Sequence, residues 1–242
     1  VCGQLEAAQK EEVIPMKKPT LLSALSLLAL FLAAPSHAQE FEAVHAVHFD
    51  DYSQAKRALD ALMADDAMDG ARVTLYSQEF GQRVASHIIV EDFDSYADYA
   101  SSTGKRLASH GWSRYQLASM DSEYMGSDQI MVVDDHGDPR YTAGYLVAYL
   151  IKSTDAALYR SAIADLNEGV GNPGVLRLVA MRTGNMAYTH AVLIGGPDFE
   201  TVQKYVDKLY ASEAFAEFVQ EVGDTRQVVG INTYYRVATY GD

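Results

Sequence analysis

The chain has 242 residues, and its 33 acidic against 19 basic side chains give a net charge of −14 with neutral histidines. Such a surface repels phosphate groups, so the composition argues against nucleic acids and anionic membranes as partners. The only cysteine, Cys2, precedes the cleavage site predicted below, so the remaining chain has no disulfide and no cysteine-ligated metal.

The first predicted element is a secretory signal peptide that starts at Met16. Two lysines lead into an apolar run at 21–34, which is shorter than the roughly 20 residues needed to cross a bilayer. Ser36 and Ala38 are small residues at the spacing that a signal peptidase recognises. We expect cleavage after Ala38 and a periplasmic or secreted protein with no membrane contact after cleavage. A retained N-terminal anchor is the alternative.

Hydrophobic periodicity predicts six elements in residues 39–139. Four are strands, and two are helices with apolar residues on one face. Asp94 is the expected N-cap of the second helix, and Trp112, beyond that helix, is expected in a loop. In chain order the elements are strand 41–49, helix 52–65, strands 71–80 and 83–91, helix 94–109 and strand 128–134.

The same order of elements returns in residues 140–242. Gly81 corresponds to Gly184 and His87 to His190, an offset of 103 residues. The polar, turn-rich segment 134–139 separates the two copies, so we place the boundary between them at 139. The second copy is predicted as strand 142–151, helix 155–168, strands 174–182 and 186–194, helix 198–221 and strand 226–238.

Each copy therefore has the order β-α-β-β-α-β, a ferredoxin-like unit with helices on one face of its sheet. The strands have apolar residues on both of their alternating faces, so the face of each sheet that has no helices must also be covered. If the two sheets pack against each other, each covers this face of the other. We predict an α+β fold in which ferredoxin-like repeats 39–139 and 140–242 pack sheet to sheet as a single-chain α/β barrel.

In its element order and its recurring hairpin histidine, the sequence resembles the dimeric α+β barrel superfamily. That group includes antibiotic-biosynthesis-type monooxygenases and the two-repeat chlorite dismutase group. The resemblance covers nearly all of residues 39–242. Monooxygenases of this type often work without a cofactor and bind a polycyclic phenol that polar groups orient and deprotonate. The chlorite dismutase group binds haem through a histidine on a helix of its C-terminal repeat. Here the only histidine of that repeat is His190, which is predicted on a strand, so haem is disfavoured.

The candidate catalytic residues are His87 and His190, which recur at the same place in the two hairpins. Strand alternation puts Thr189 and Ala191 on the face opposite His190, and such small residues suit packing against helices. We therefore expect both imidazoles to face the barrel interior, where they would serve as acid, base or hydrogen-bond donor. The alternative is a packing role, with each ring satisfied by a backbone or tyrosine partner.

Four further side chains are candidate ligand-binding residues: Tyr188, Tyr149, His45 and Tyr234. Too few histidines converge for a zinc or copper site, so we expect no metal and no other cofactor. Arg177, beside the second hairpin, is interpreted as a surface charge.

The sequence thus predicts a barrel protein that binds a small apolar or aromatic molecule, with or without a cofactor-free oxygenase activity. Whether the protein is an enzyme stays open. The competing hypothesis is a structural or interaction protein with a solid interior. A barrel cavity reached by the two histidines favours the first, and a filled interior with both imidazoles bonded to the backbone favours the second.

Overall fold

The computed structural model describes residues 40–81, 85–184 and 187–241, which belong to one compact unit. The predicted signal peptide and its cleavage site lie outside the described residues, so export stays a prediction, as does the division into repeats at residue 139. In the described part of the chain, no helix is both long and apolar enough to span a bilayer.

The first half contains one helix that the sequence did not predict. Its elements are β1 (Phe41–His48), α1 (Tyr52–Met63), β2 (Arg72–Gln78), β3 (His87–Phe93), α2 (Tyr96–Leu107), α3 (His110–Ala118) and β4 (Glu123–Gly137). Ser95 rather than Asp94 caps α2, because its side chain accepts a hydrogen bond from the Asp98 amide. Trp112, expected in a loop, lies on α3, which begins where the Ser109 side chain accepts from the Trp112 amide at 3.0 Å.

The second half repeats this order. Its elements are β5 (Tyr145–Ser153), α4 (Ala156–Val170), β6 (Val175–Thr183), β7 (His190–Gly196), α5 (Phe199–Tyr210), α6 (Glu213–Val222) and β8 (Arg226–Tyr240). The single helix predicted at 198–221 is broken at Ala211 and Ser212. The Ser212 hydroxyl accepts from the Phe215 amide at 3.1 Å, so it starts a new helix at the position that corresponds to Ser109.

The eight strands form one closed antiparallel barrel in the order β1-β3-β2-β8-β5-β7-β6-β4. Within each half the order is that of a ferredoxin-like sheet, β4-β1-β3-β2 and β8-β5-β7-β6. The last strand of each half, 15 residues long, also pairs with the other half, β4 with β6 and β8 with β2. The predicted α+β fold of two ferredoxin-like repeats is therefore confirmed, with the sheets joined at their edges as well as facing each other.

The two faces of each strand enter two different cores. Side chains such as Val44, Ile88 and Leu146 point into the barrel. Their neighbours in sequence point outwards and are covered by helices: Ile89 packs with Leu59 of α1, and the second half forms the corresponding core with its own helices. Because both faces are apolar, the hydrophobic pattern alone could not assign which face lies inside.

Candidate functional site

His87 lies under the helices and does not face the barrel interior. It is fully buried, its Nδ1 hydrogen-bonds the Ser86 hydroxyl at 2.8 Å, and its ring packs against Phe49 and against Tyr52, the first residue of α1. Its neighbour Ile88 lines the barrel instead. The predicted orientation of His87 is therefore wrong.

His190 has the same outward orientation. Its Nδ1 hydrogen-bonds the Thr189 hydroxyl at 2.8 Å, and its ring lies 6.3 Å from that of Tyr159 on α4. The small residue Ala191, expected under the helices, lines the barrel interior. The expectation failed because a small residue suits the crowded inside of a narrow barrel as well as it suits a helix contact.

Both histidines have the surroundings of packed, neutral side chains. Burial, and then the nearby charge of His48, lowers the pKa of His87 to about 4. Burial also lowers the pKa of His190. Each ring is hydrogen-bonded to the hydroxyl of the preceding residue. This arrangement is close to the alternative of a packing role, although the partner is a hydroxyl of the preceding residue rather than the backbone or a tyrosine.

The barrel interior is nearly filled. Its cavity measures about 80 Å³ and is lined by two of the predicted ligand-binding residues, Tyr188 and Tyr234. The Tyr188 hydroxyl donates to Asp128 Oδ2 at 2.9 Å, and the Tyr234 hydroxyl accepts from Asn232 Nδ2 at 3.2 Å. Burial raises the pKa of Tyr234 to about 12, so it remains neutral. This space has room for a few water molecules and is too small for a polycyclic ligand.

A larger cavity lies outside the barrel, between the first-half sheet and helices α1 and α3. It measures about 420 Å³, within the range of small-molecule sites. We call it the first-half cavity. Its apolar wall consists mainly of Val47, Leu59, Leu62, Val73, Ile89 and Trp112. His45, another of the predicted ligand-binding residues, also lines it.

Helix α3 closes this cavity because it approaches α1 closely. The Gly111 amide donates to Asp65 Oδ2 at 2.7 Å, and a Cβ at Gly111 would lie 2.6 Å from the Asp65 Cβ. This contact places Trp112 and Tyr115 over the sheet, with their rings stacked at 5.2 Å. Burial, followed by the charge of Glu91, raises the pKa of Tyr115 to about 12, so Tyr115 is a neutral hydroxyl on the cavity wall.

A polar trio, His45, Glu91 and Arg106, forms one side of the first-half cavity. Glu91 on β3 is buried and accepts a hydrogen bond from the Arg106 guanidinium, which comes from the last turn of α2. His45 Nε2 on β1 lies 3.2 Å from Glu91 Oε1, although no directed hydrogen bond joins the two atoms. Burial alone would raise the pKa of Glu91, but His45 and Arg106 outweigh it and hold that pKa below its usual value.

The other ring nitrogen of His45 connects the trio to the surface. His45 Nδ1 hydrogen-bonds Ser127 Oγ, which also contacts the hydroxyl of the exposed Tyr124. The register of β4 against β1 shifts by one residue here, next to Gly126 at φ +132°, and this bulge positions Ser127. Such bulges frequently orient side chains beside functional sites.

The second half contains a matching cavity without the trio. This second-half cavity measures about 240 Å³ and lies between the sheet and helices α4, α5 and α6. Strand register and the 103-residue offset of the helices identify the counterparts. His45 corresponds to Tyr149, Glu91 to Ile194, and Arg106 to Leu209, and all three counterparts line the second-half cavity. At these three positions the second half therefore has uncharged residues where the first half has His45 and a buried ion pair.

A second buried charge network closes one end of the barrel. Glu42 Oε1 accepts from Arg140 Nε at 2.9 Å and from Arg177 at 2.6 Å. Arg140 also donates to both carboxylate oxygens of Asp92 at 2.8 Å. Arg177, interpreted above as a surface charge, is 6% exposed, so that interpretation is wrong. This network contains residues of both halves, so its ion pairs hold the two halves together.

Glu91, Arg106 and Ser127 are site residues that the sequence did not reveal. Glu91 shares an alternation with the apolar residue Ile89, and an acid at such a position is a signal that the sequence does offer. Arg106 gives no such signal, because an arginine in the last turn of a helix is usually explained by the helix dipole.

No protein-family model and no curated protein matches the sequence. Solved structures do resemble this one. A candidate monooxygenase from Fusobacterium nucleatum is 11% identical with a TM-score of 0.58, over 85% of this chain and 96% of that chain. The chain has the dimeric α+β barrel fold. An anthrone oxidase-like protein is 12% identical with a TM-score of 0.55, over 83% of this chain and 92% of that chain. A second candidate monooxygenase, from Lactobacillus acidophilus, is 9% identical with a TM-score of 0.53, over 84% and 96%.

A haem held by a histidine of the second half, as in the chlorite dismutase group, does not fit the second-half cavity. His190 is the only histidine of the second half. It is 7% exposed, its Nδ1 is bonded to Thr189, and it does not line the second-half cavity. A histidine-ligated haem would need the ring nitrogen of His190 directed into that space.

Proposed function

We propose that the first-half cavity binds a small aromatic molecule with an acidic C–H or O–H group, and that His45 removes its proton. The trio carries this proposal, since it adds a base and a buried carboxylate to a cavity whose counterpart in the second half is apolar. A buried ion pair adds little to stability compared with apolar residues of similar size. A functional use of the charges therefore explains why one half has them.

The contacts of His45 give it the properties of a general base. In the structure His45 Nδ1 faces the Ser127 hydroxyl and Nε2 faces Glu91 Oε1 at 3.2 Å, so the ring acts as a base when a bound substrate takes the place of one of these two contacts. The neighbouring Glu91 carboxylate stabilises the positive charge that the ring gains with the proton. Arg106 keeps Glu91 ionised and in place.

Removal of the proton activates such a substrate towards dioxygen without a cofactor. For anthrone, the anion transfers electrons to O2, a carbon–oxygen bond forms, and the hydroperoxide loses water. Anthrone and O2 thus give anthraquinone and one water, so the hydrocarbon is oxidised and dioxygen reduced. The likeness to an anthrone oxidase-like protein suggests this probe, although at 12% identity it supports the fold alone.

His45→Gln tests the assigned base. With anthrone and dissolved oxygen, the variant is expected to lose about 100-fold or more of the wild-type kcat/KM for anthraquinone formation, the usual contribution of a positioned base. His48→Gln is the matched control, since His48 lies on the same strand but is half-exposed and pairs with Asp50. Wild-type protein that neither oxidises nor binds anthrone contradicts the proposal, and binding without turnover reduces it to a binding function.

We also propose that the protein acts outside the cytoplasm, because residues 16–38 have the pattern of a signal peptide. Cell fractionation tests this. A mature chain that starts at Gln39 in the periplasm or medium is expected, and full-length protein retained in the cytoplasm contradicts it.

A further inference from the structure

Several polar groups of the second-half cavity already have a partner within the protein. The hydroxyls of Tyr149 and Tyr210 hydrogen-bond each other at 2.8 Å. The Tyr205 hydroxyl donates to the Gly171 carbonyl at 2.7 Å. The Arg226 guanidinium lies over the Phe218 ring, 5.2 Å from its centre. The remaining wall consists of aliphatic and aromatic side chains.

The cavity is too large to be an ordinary packing defect. Protein interiors are close-packed and contain few voids larger than a water molecule. Its volume of about 240 Å³ exceeds the roughly 150 Å³ of an engineered apolar cavity that stays dry and binds benzene. Water gains few hydrogen bonds in such a space, so an apolar molecule is its best occupant.

The entrance is apolar as well. Three large hydrophobic residues of the cavity lining, Tyr210, Val228 and Ile231, are 50%, 38% and 44% exposed. They lie on α5 and on β8. An apolar molecule can therefore pass from the surface to the cavity along hydrophobic side chains, without displacing the buried core residues Val192 and Ile163.

We propose that the second-half cavity is a separate binding site for an uncharged, apolar molecule of one or two rings. The site does not depend on the function proposed for the first-half cavity, because it uses none of the residues of the trio. Its ligand differs from that of the first half in having no acidic group, since this wall contains no base that would receive a proton and its cation, Arg226, lies over the Phe218 ring.

Equilibrium dialysis with naphthalene tests the site. Because naphthalene can enter either cavity, Ile89→Trp is used to fill the first-half cavity, and Val192→Trp, at the corresponding position on β7, fills the second. The Ile89→Trp protein is expected to retain one naphthalene per chain. Addition of Val192→Trp should weaken that binding by at least about tenfold.

A folded Ile89→Trp protein that retains no naphthalene overturns the proposal, as does equal binding by the double variant. If either tryptophan prevents folding, as judged by circular dichroism, crystals of the unchanged protein soaked with 1-bromonaphthalene decide the matter. An anomalous bromine peak inside the second-half cavity supports the site, and the absence of a peak there rejects it.

Discussion

At the scale of single residues, the burial of His87 makes the stability of the protein depend on pH. Its pKa in the folded protein is lowered to about 4 from 6.5. The unfolded chain therefore binds a proton more readily. The stability that neutral His87 contributes is fully present above about pH 6.5 and is lost as the pH falls towards 4.

We therefore expect the free energy of unfolding to fall between pH 7 and pH 4, with up to about 3 kcal/mol of the decrease due to His87. Urea unfolding at several pH values measures this. In His87→Gln, whose amide oxygen can still face Ser86, the decrease should be smaller. Equal pH dependence in the two proteins would show that His87 does not titrate in this way.

The candidate site shows which residues can be read from a sequence. His45 is predicted from the sequence as a ligand-binding residue, and it lines the first-half cavity. His87 and His190 stand out in the sequence because they recur, yet both lie in packed surroundings. A shared ancestor preserves packing residues in both copies, whereas the trio occurs in one copy only. In this chain the difference between the repeats was more informative than their similarity.

At the scale of the elements, the eight strands and the first helix of each half were predictable, and the faces of the strands were not. Alternation separates two faces but does not say which one lies inside when both are apolar. Ile88 and Ile89 enter different cores although they are the same residue type. Which face of a strand lies inside is decided only when the eight strands close into a barrel, and this closure is a property of the whole sheet.

Helix α3 was missed for a related reason. Its sequence, HGWSRYQLA, has a glycine and several polar residues and little helical periodicity of its own. It forms because Ser109 caps it, because Gly111 permits close contact with α1, and because Trp112 and Tyr115 cover the cavity. Without α3 the first-half cavity would lack its outer wall.

At the scale of the whole molecule, the halves are joined by strand pairing and by buried charges. Arg140, in the connection between β4 and β5, contacts Glu42 on β1 and Asp92 on β3, while Arg177 on β6 reaches the same Glu42. Glu42 stays ionised because the two arginines outweigh its burial, and burial raises the pKa of Asp92 to about 6 despite Arg140. This charge network is shared by both halves, so unlike the trio it has a structural explanation.

The central claim is that the His45–Glu91–Arg106 trio serves function and is dispensable for folding. The double variant Glu91→Ile, Arg106→Leu gives the first half the residues of the second and tests this most directly. We predict that its free energy of unfolding in urea is equal to or higher than that of the wild type, while anthrone oxidation is lost. Arg106→Leu alone should lose about 3 kcal/mol, because it leaves Glu91 buried without its cation. A double variant that is destabilised as much as the single one, or that keeps its activity, would contradict the claim.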